Sequence, residues 1–501
     1  MGWFSRRAFS AATAARAAAA ASSSASASGA AAGEEQQQQP QQSKAQRFVL
    51  DAASHTFPRG FLATGVHCGV KKKEALLDLA LIVSDRADTS AAACFTRNAF
   101  VAAPVHVSKD VLRQSSGHAR AIVVNSGCAN AVTGEQGLKD AWAMSKAVDD
   151  FLYQSSSADN SVEASEGGDK PATTLVMSTG VIGQLLPIKR ITSGITSAVS
   201  TLGGSHDAWL DCARAFMTTD TFPKLRTRKH TLPDGTAIRF VGIDKGAGMI
   251  HPNMGPPAAP HATLLGMLAT DARVPPAILQ AALTHAVDRS FNSISVDGDM
   301  STNDTIVALA NGAAAPPSGK ESLTEITQEG TPELFESFTE ALTGFCADLA
   351  QLVVRDGEGA TKLVKVSVNG APSYEGAHKV AASVAKSALV KCAVHGQDAN
   401  WGRILCAVGY SNPGFEIVPQ KTSVSFVPTD GSAELKLLVN GEPEQVDEAR
   451  ALEILKMEDL EIAIELGVGS ESAAYWTCDF SKEYIAINAG KLCAISSSLQ
   501  R

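Results

Sequence analysis

Apolar and polar positions alternate in short blocks along this 501-residue chain, and the period changes from block to block. Ala121–Val124 is a continuous apolar run, which predicts a strand, and it opens into Asn125-Ser126-Gly127, which reads as a polar turn. Ala141, Met144, Ala147 and Phe151 then recur every three or four places and predict a helix. Gln154–Lys170, rich in Ser, Glu, Asp and Gly, predicts an inserted surface loop. Leu175-Val176-Met177 predicts a buried strand ending at Ser178-Thr179-Gly180, and Ile238–Ile243 predicts the next clear strand. Thr331 and Pro332 have the character of an N-cap and a first helical residue. After them Leu334, Phe338, Leu342, Phe345, Leu349 and Leu352 mark a long helix with one apolar face. Alternating strand and helix signals from about Phe48 onward predict an α/β or layered α+β fold.

The first 33 residues depart from this pattern. They contain Arg6, Arg7 and Arg16, no acidic residue, and a long Ala/Ser run, which is the composition of an organelle transit peptide. Glu34–Gln42 reads as a disordered spacer, so residues 1–47 are expected to precede the folded chain. The early arginine pair favours the mitochondrial matrix, with a plastid as the alternative. A formal net charge of −9 argues against a nucleic-acid partner, because phosphate binding needs basic surface. No later stretch of 18 uninterrupted apolar residues calls for a membrane span. The nine cysteines form no Cys-x-x-Cys pair and read as small hydrophobes in a reducing compartment.

Two familiar motifs fail on inspection. Gly246-Ala247-Gly248 starts like a dinucleotide loop, but His251 occupies the third glycine position. Asp297, Asp299 and Ser301 start like a calcium loop, but Thr302 stands where the sharp turn needs glycine. No metal site is expected. Between Lys245 and Ala272 a Gly/Pro-rich loop feeds an apolar strand whose first polar residue is Thr263, and composition alone makes this an exposed loop before a buried strand.

The same stretch resembles the ornithine acetyltransferases, in which a Lys-Gly-x-Gly-Met-Ile-x-Pro-Asn-Met element leads to Ala-Thr at a self-cleavage site. Here Lys245–Met254 carries that element and Ala262-Thr263 the cleavage pair. The similarity covers nearly all of residues 59–489. It includes Asn125-Ser126-Gly127-Cys128-Ala129-Asn130, Ser178-Thr179-Gly180-Val181, Met217-Thr218-Thr219-Asp220-Thr221, Ser301-Thr302-Asn303-Asp304 and Asp356-Gly357-Glu358-Gly359.

The resemblance implies a layered α/β fold of the N-terminal-nucleophile type, cut into an α chain of about 48–262 and a β chain of 263–501. It implies a heterotetramer of two of each. Thr263 would be the nucleophile, Thr179 and Gly180 the oxyanion positions, and Thr218, Lys245, Glu358 and Asn488 substrate-binding positions beside Thr263 itself. The implied reaction is acetyl transfer from N-acetylornithine to glutamate in arginine biosynthesis, without a cofactor, and it leaves open acetyl-CoA as a second donor. Two rival readings stay open here: a self-cleaving aminopeptidase or amidase of the same fold, and an unprocessed, non-catalytic binding protein.

Two departures from the family pattern stand out. Gly255–His261 is inserted between Met254 and Ala262 where the family joins them directly. At the carboxyl end the family's Ile-Asn-Ala-Asp-Tyr-Thr-Thr is replaced after Ala489 by Gly490 and a longer tail, so that Cys493 takes the substrate-contacting hydroxyl position.

Overall fold

The computed structural model describes residues 42–157, 172–257 and 264–489. Ala262, Thr263 and Cys493 lie outside the described residues, as do residues 1–41 and most of the insertion and of the predicted surface loop. The first helix, Lys44–Phe48, starts earlier than the hydrophobic pattern suggests. Ser43 and Gln46 close a capping box, which satisfies amide donors that a short helix otherwise leaves bare. Lys44 then donates to the carbonyls of Arg355 (2.7 Å) and Ala360 (3.0 Å), and Arg47 pairs with Glu458.

Three sheets organise the rest. The first has the order β1-β2-β4-β5, from β1 (Phe61–Val66), β2 (Leu79–Ser84), β4 (Ala121–Cys128) and β5 (Thr174–Val181). The second has the order β6-β7-β9-β11-β3-β8, from β3 (Ser90–Thr96), β6 (Lys224–Thr231), β7 (Ala237–Lys245), β8 (Met254–Gly255), β9 (Leu265–Thr270) and β11 (Thr305–Ala310). The third has the order β10-β17-β12-β16-β13-β14-β15. Its strands are β10 (Ile294–Ser295), β12 (Leu363–Ala371), β13 (Ser423–Pro428), β14 (Leu435–Val439), β15 (Glu442–Pro443), β16 (Asp459–Glu465) and β17 (Glu471–Cys478).

Strand alternation splits the central sheet between two cores. Leu265, Met267 and Ala269 of β9 join a core shared with the first sheet, while Leu264 and Leu268 join one built with the helices Pro276–Asp288 and Pro332–Arg355. All six apolar residues that mark the long helix in the sequence are buried. The expected layered α/β class is what the chain adopts.

Two local expectations need correction. The helix Gly134–Ser157 runs through the beginning of the predicted loop, because extending a formed helix adds one hydrogen bond per residue and neither Gln154 nor the serines break it. Asn125-Ser126-Gly127 is not a turn but part of β4, whose polar end is buried and internally satisfied. Asn125 donates to the carbonyl of Cys128 (2.8 Å) and accepts from Ser178 (2.6 Å). In register, Asn125, Ser126 and Gly127 face Ser178, Thr179 and Gly180 of β5, so two polar strand ends run side by side.

Candidate active site

Those paired strand ends form one wall of a cavity of about 780 Å³. Thr179, Gly180, Thr218, Lys245, Glu358 and Asn488 all line it, so every described candidate from the sequence converges on one place. Gly180 has φ +132°, and a Cβ there would fall 2.3 Å from the carbonyl carbon of Gly127. Only glycine fits, because the close approach of the two strands and the positive φ both exclude a side chain.

Lys245 ends β7 and is 5% exposed. Its ammonium donates to Thr179 Oγ1 at 3.2 Å. Burial pushes Lys245 below the usual lysine range, while nearby Asp220 pulls it back up. Burial alone would raise Asp220, but Lys224 and Lys245 overcome it and hold that carboxylate well below its usual range. Asp220 accepts from Lys224 Nζ (2.6 Å), from the amide of Thr218 (2.9 Å) and from the amide of Gly246 (2.8 Å). Lys224 also donates to Asp356 (2.7 Å), giving a buried carboxylate–ammonium–carboxylate triad directly behind the cavity.

The opposite charge comes from the other half of the chain. Glu358 accepts from Asn488 Nδ2 at 2.8 Å, and its own amide donates to the carbonyl of Ala247. A Cβ on Gly248 would sit 2.6 Å from Glu358 Oε2, so this glycine is what lets the carboxylate lie against the loop. Asp297 accepts from the amides of Met249 (2.6 Å) and Ile250 (2.9 Å), fixing the same loop from below.

The first described residue after Ala262 and Thr263 is well anchored. Leu264 is fully buried, and its carbonyl accepts from the amide of Thr305 at 2.6 Å. Leu265 lies between Lys245 of β7 and Thr305 of β11 in the sheet register. Lys245 and Asn303, one on each flank, both line the cavity.

Sequence reasoning quoted several contributors inside motifs without giving them roles. Asn303 donates to the carbonyls of Ala129 (2.6 Å) and Ser178 (2.8 Å), tying the first sheet to the second at the cavity. Asp304 is fully buried, neither of its oxygens has a hydrogen-bond partner among the described residues, and burial raises it well above the usual carboxylate range against the pull of Lys245. Lys71 also lines the cavity, and its ammonium donates to the carbonyls of Leu77 (2.6 Å) and Met217 (2.7 Å). Only distance in the sequence hid it.

A buried ammonium, a hydroxyl and a tightly turned glycine on one wall, with a carboxylate and an amide on another, suit a zwitterionic substrate and a developing oxyanion. The ArgJ family model matches residues 62–490. This chain belongs to the ArgJ family. A relative from Postia placenta, the arginine biosynthesis bifunctional protein ArgJ, mitochondrial, is 60% identical over 441 residues, covering 86% of this chain and 91% of the relative. The protein of the same name from Laccaria bicolor is 56% identical, covering 87% and 93%. The crystal structure of the arginine biosynthesis bifunctional protein argJ from Bacillus halodurans is 38% identical, with a TM-score of 0.39, covering 44% of this chain and 96% of that one. Membership of the ArgJ family makes the chain an acyltransferase of arginine biosynthesis. The aminopeptidase or amidase reading and the non-catalytic reading give way.

Proposed function

We propose that the chain cuts itself between Ala262 and Thr263, and that the freed Thr263 carries acetyl groups from N-acetylornithine to glutamate as an ester. The observation that carries this reading is the anchoring of Leu264 to the amide of Thr305 and of Leu265 between Lys245 and Thr305, beside a cavity that Lys245 and Asn303 line. Consecutive Cα atoms are about 3.8 Å apart, so Thr263 begins its reach from that point.

A threonine hydroxyl needs an adjacent base. Cleavage supplies one, since the new α-amine has an ordinary pKa of about 7.7–8.0. The hydroxyl attacks the acetyl carbonyl, its proton passes to the amine, and the tetrahedral oxyanion turns toward Thr179 and Gly180. Lys245 donates to Thr179 Oγ1, which leaves the threonine's own hydrogen available for that oxyanion. Collapse expels ornithine, which takes the proton. Glutamate then attacks the acetyl-threonine by the reverse path and leaves as N-acetylglutamate. Glu358 and Asn488 hold the substrate's ammonium, and Thr218 adds a neutral hydrogen bond. Acetyl-CoA serves as a second donor to the same threonine, in keeping with the word bifunctional in the relatives' name.

The α and β chains would be 48–262 and 263–501, two of each per assembly, in the mitochondrion. Denaturing electrophoresis with Edman sequencing tests the processing step, and the carboxyl-terminal fragment, the larger of the two once the leader is gone, should begin Thr-Leu-Leu-Gly. Thr263→Ala should give one uncut chain and no acetyl transfer, while Thr263→Ser keeps some of both. An intact chain with full activity would overturn the reading.

A further inference from the structure

A second cavity, of about 720 Å³, lies on another side of the loop that leads to the cleavage pair. His251, Pro252, Asn253 and Met254 form one of its walls, whereas Gly248 and Met249 line the catalytic cavity. The two cavities thus share a loop, and the step from Met249 to His251 is two residues, at most about 7 Å of chain.

The chemistry of the second cavity is unlike that of the first. Arg97, Arg289, Lys379 and Lys386 line it. Among the described residues none of the four has a carboxylate within ion-pair distance, although Asp288 and Glu375 share the cavity. The guanidinium of Arg289 lies over the face of Tyr374, 4.4 Å from the ring centre. Burial lowers Lys386. His251 and His378 add polar ring atoms. His378 Nε2 donates to the carbonyl of Asn292 (3.2 Å), which leaves Nδ1 as an acceptor. His251 is pushed down to about 4 by burial and by Lys386, so it is neutral at physiological pH. Tyr410 is 60% exposed at the same cavity. Four cations against two carboxylates leave the cavity net positive, guanidinium and ammonium groups are the usual partners of phosphate, and an exposed aromatic face offers a base somewhere to stack.

From this arrangement we infer that the second cavity is a binding site for a nucleotide carrying two or more phosphates. The base lies against Tyr410 and the phosphates among Arg97, Arg289, Lys379 and Lys386. The site reaches the catalytic loop through Asn292, whose side chain accepts from the amide of Met254 (2.7 Å) and donates to its carbonyl (2.9 Å). The same chemistry is found at the nucleotide end of coenzyme A and in a free nucleotide.

The test uses the purified protein as processed by the cell, with isothermal titration of adenosine 3′,5′-bisphosphate, ADP and inorganic phosphate. Lys379→Gln/Lys386→Gln removes two cations that have no hydrogen-bond or ion-pair partner among the described residues, so the fold should persist. It should weaken nucleotide binding roughly tenfold or more. If adenosine 3′,5′-bisphosphate competes with acetyl-CoA and leaves exchange from N-acetylornithine unchanged, the site holds the donor's nucleotide end. That arm rests on the two-donor reading above. If ADP changes both reactions, the site takes a free nucleotide. Should acetyl-CoA fail as a donor while nucleotides still bind, the two-donor reading falls and the site stands. Binding of inorganic phosphate alone, no binding at all, or equal affinity in the double variant overturns the proposal.

Discussion

The ammonium of Lys245 lies 3.2 Å from Oγ1 of Thr179, and these two residues come from different sheets. The contact turns the threonine hydroxyl into a donor facing the cavity, since its oxygen is already engaged. Thr179→Val keeps the side-chain shape and removes that donor. The acetyl-transfer kcat should fall about 10²–10³-fold, the loss typical of one oxyanion donor, with KM for N-acetylornithine little changed. A KM effect with intact kcat would give Thr179 a binding role instead.

Lys71 sets a second expectation. Burial pushes its ammonium down to about 8, against the pull of Asp78 and Asp220 and with help from Lys245. The folded protein therefore releases this proton before the unfolded chain does. The buried charge costs stability at neutral pH, and the cost is relieved as pH rises from about 8 towards the ordinary lysine range. In the cavity the effect runs the other way, because a positive wall is lost above pH 8. KM for N-acetylornithine should rise across that range, and Lys71→Arg should remove the rise while leaving any limb due to the Thr263 amine in kcat. Identical pH profiles for both enzymes would exclude Lys71 from substrate binding.

The triad behind the cavity gives a stability prediction. Lys224→Met leaves Asp220 and Asp356 buried together without their cation. Breaking a buried pair in this way costs about 3–5 kcal/mol, which urea denaturation would register as a lower midpoint. Asp220 also holds the amides of Thr218 and Gly246, so KM should rise in the same variant even at low temperature.

Part of this was legible from residues in order. The helix Pro332–Arg355 follows from its apolar spacing, and the end of β5 follows from its motif. The triad was not legible. Lysine and aspartate in a sequence read as solvated surface, and these are buried only because Asp356, 132 positions from Lys224, completes the neutralisation. The polar end of β4 misled for a similar reason. Asn125 and Ser126 suggest a turn until Ser178 and Ala215 are brought up to satisfy them. Family likeness supplied the identities of Thr218, Glu358 and Asn488, but only the folded chain shows that Glu358 and Asn488 touch.

The carboxyl end offers a test of its own. The helix Lys482–Asn488 delivers Asn488 to Glu358, and the substituted tail follows at once. Replacing residues 490–501 with Asp-Tyr-Thr-Thr restores a hydroxyl where Cys493, a weaker donor, now stands. One hydrogen bond to a charged substrate is worth about 1.5–3 kcal/mol, so KM for N-acetylornithine should drop by tenfold or more. An unchanged KM means that the native tail completes the pocket by another route.

Reading across the central sheet, strands from before the Ala262–Thr263 bond occupy both margins, and the two from after it sit between them. A cut at that bond would therefore free a chain end without freeing a piece. The two polypeptides would be clasped like interlaced fingers, with β9 gripped by β7 on one side and β11 by β3 on the other. Neither could be drawn out at any dilution short of melting the sheet, so the pair would behave as a single inherited object rather than as two subunits in equilibrium.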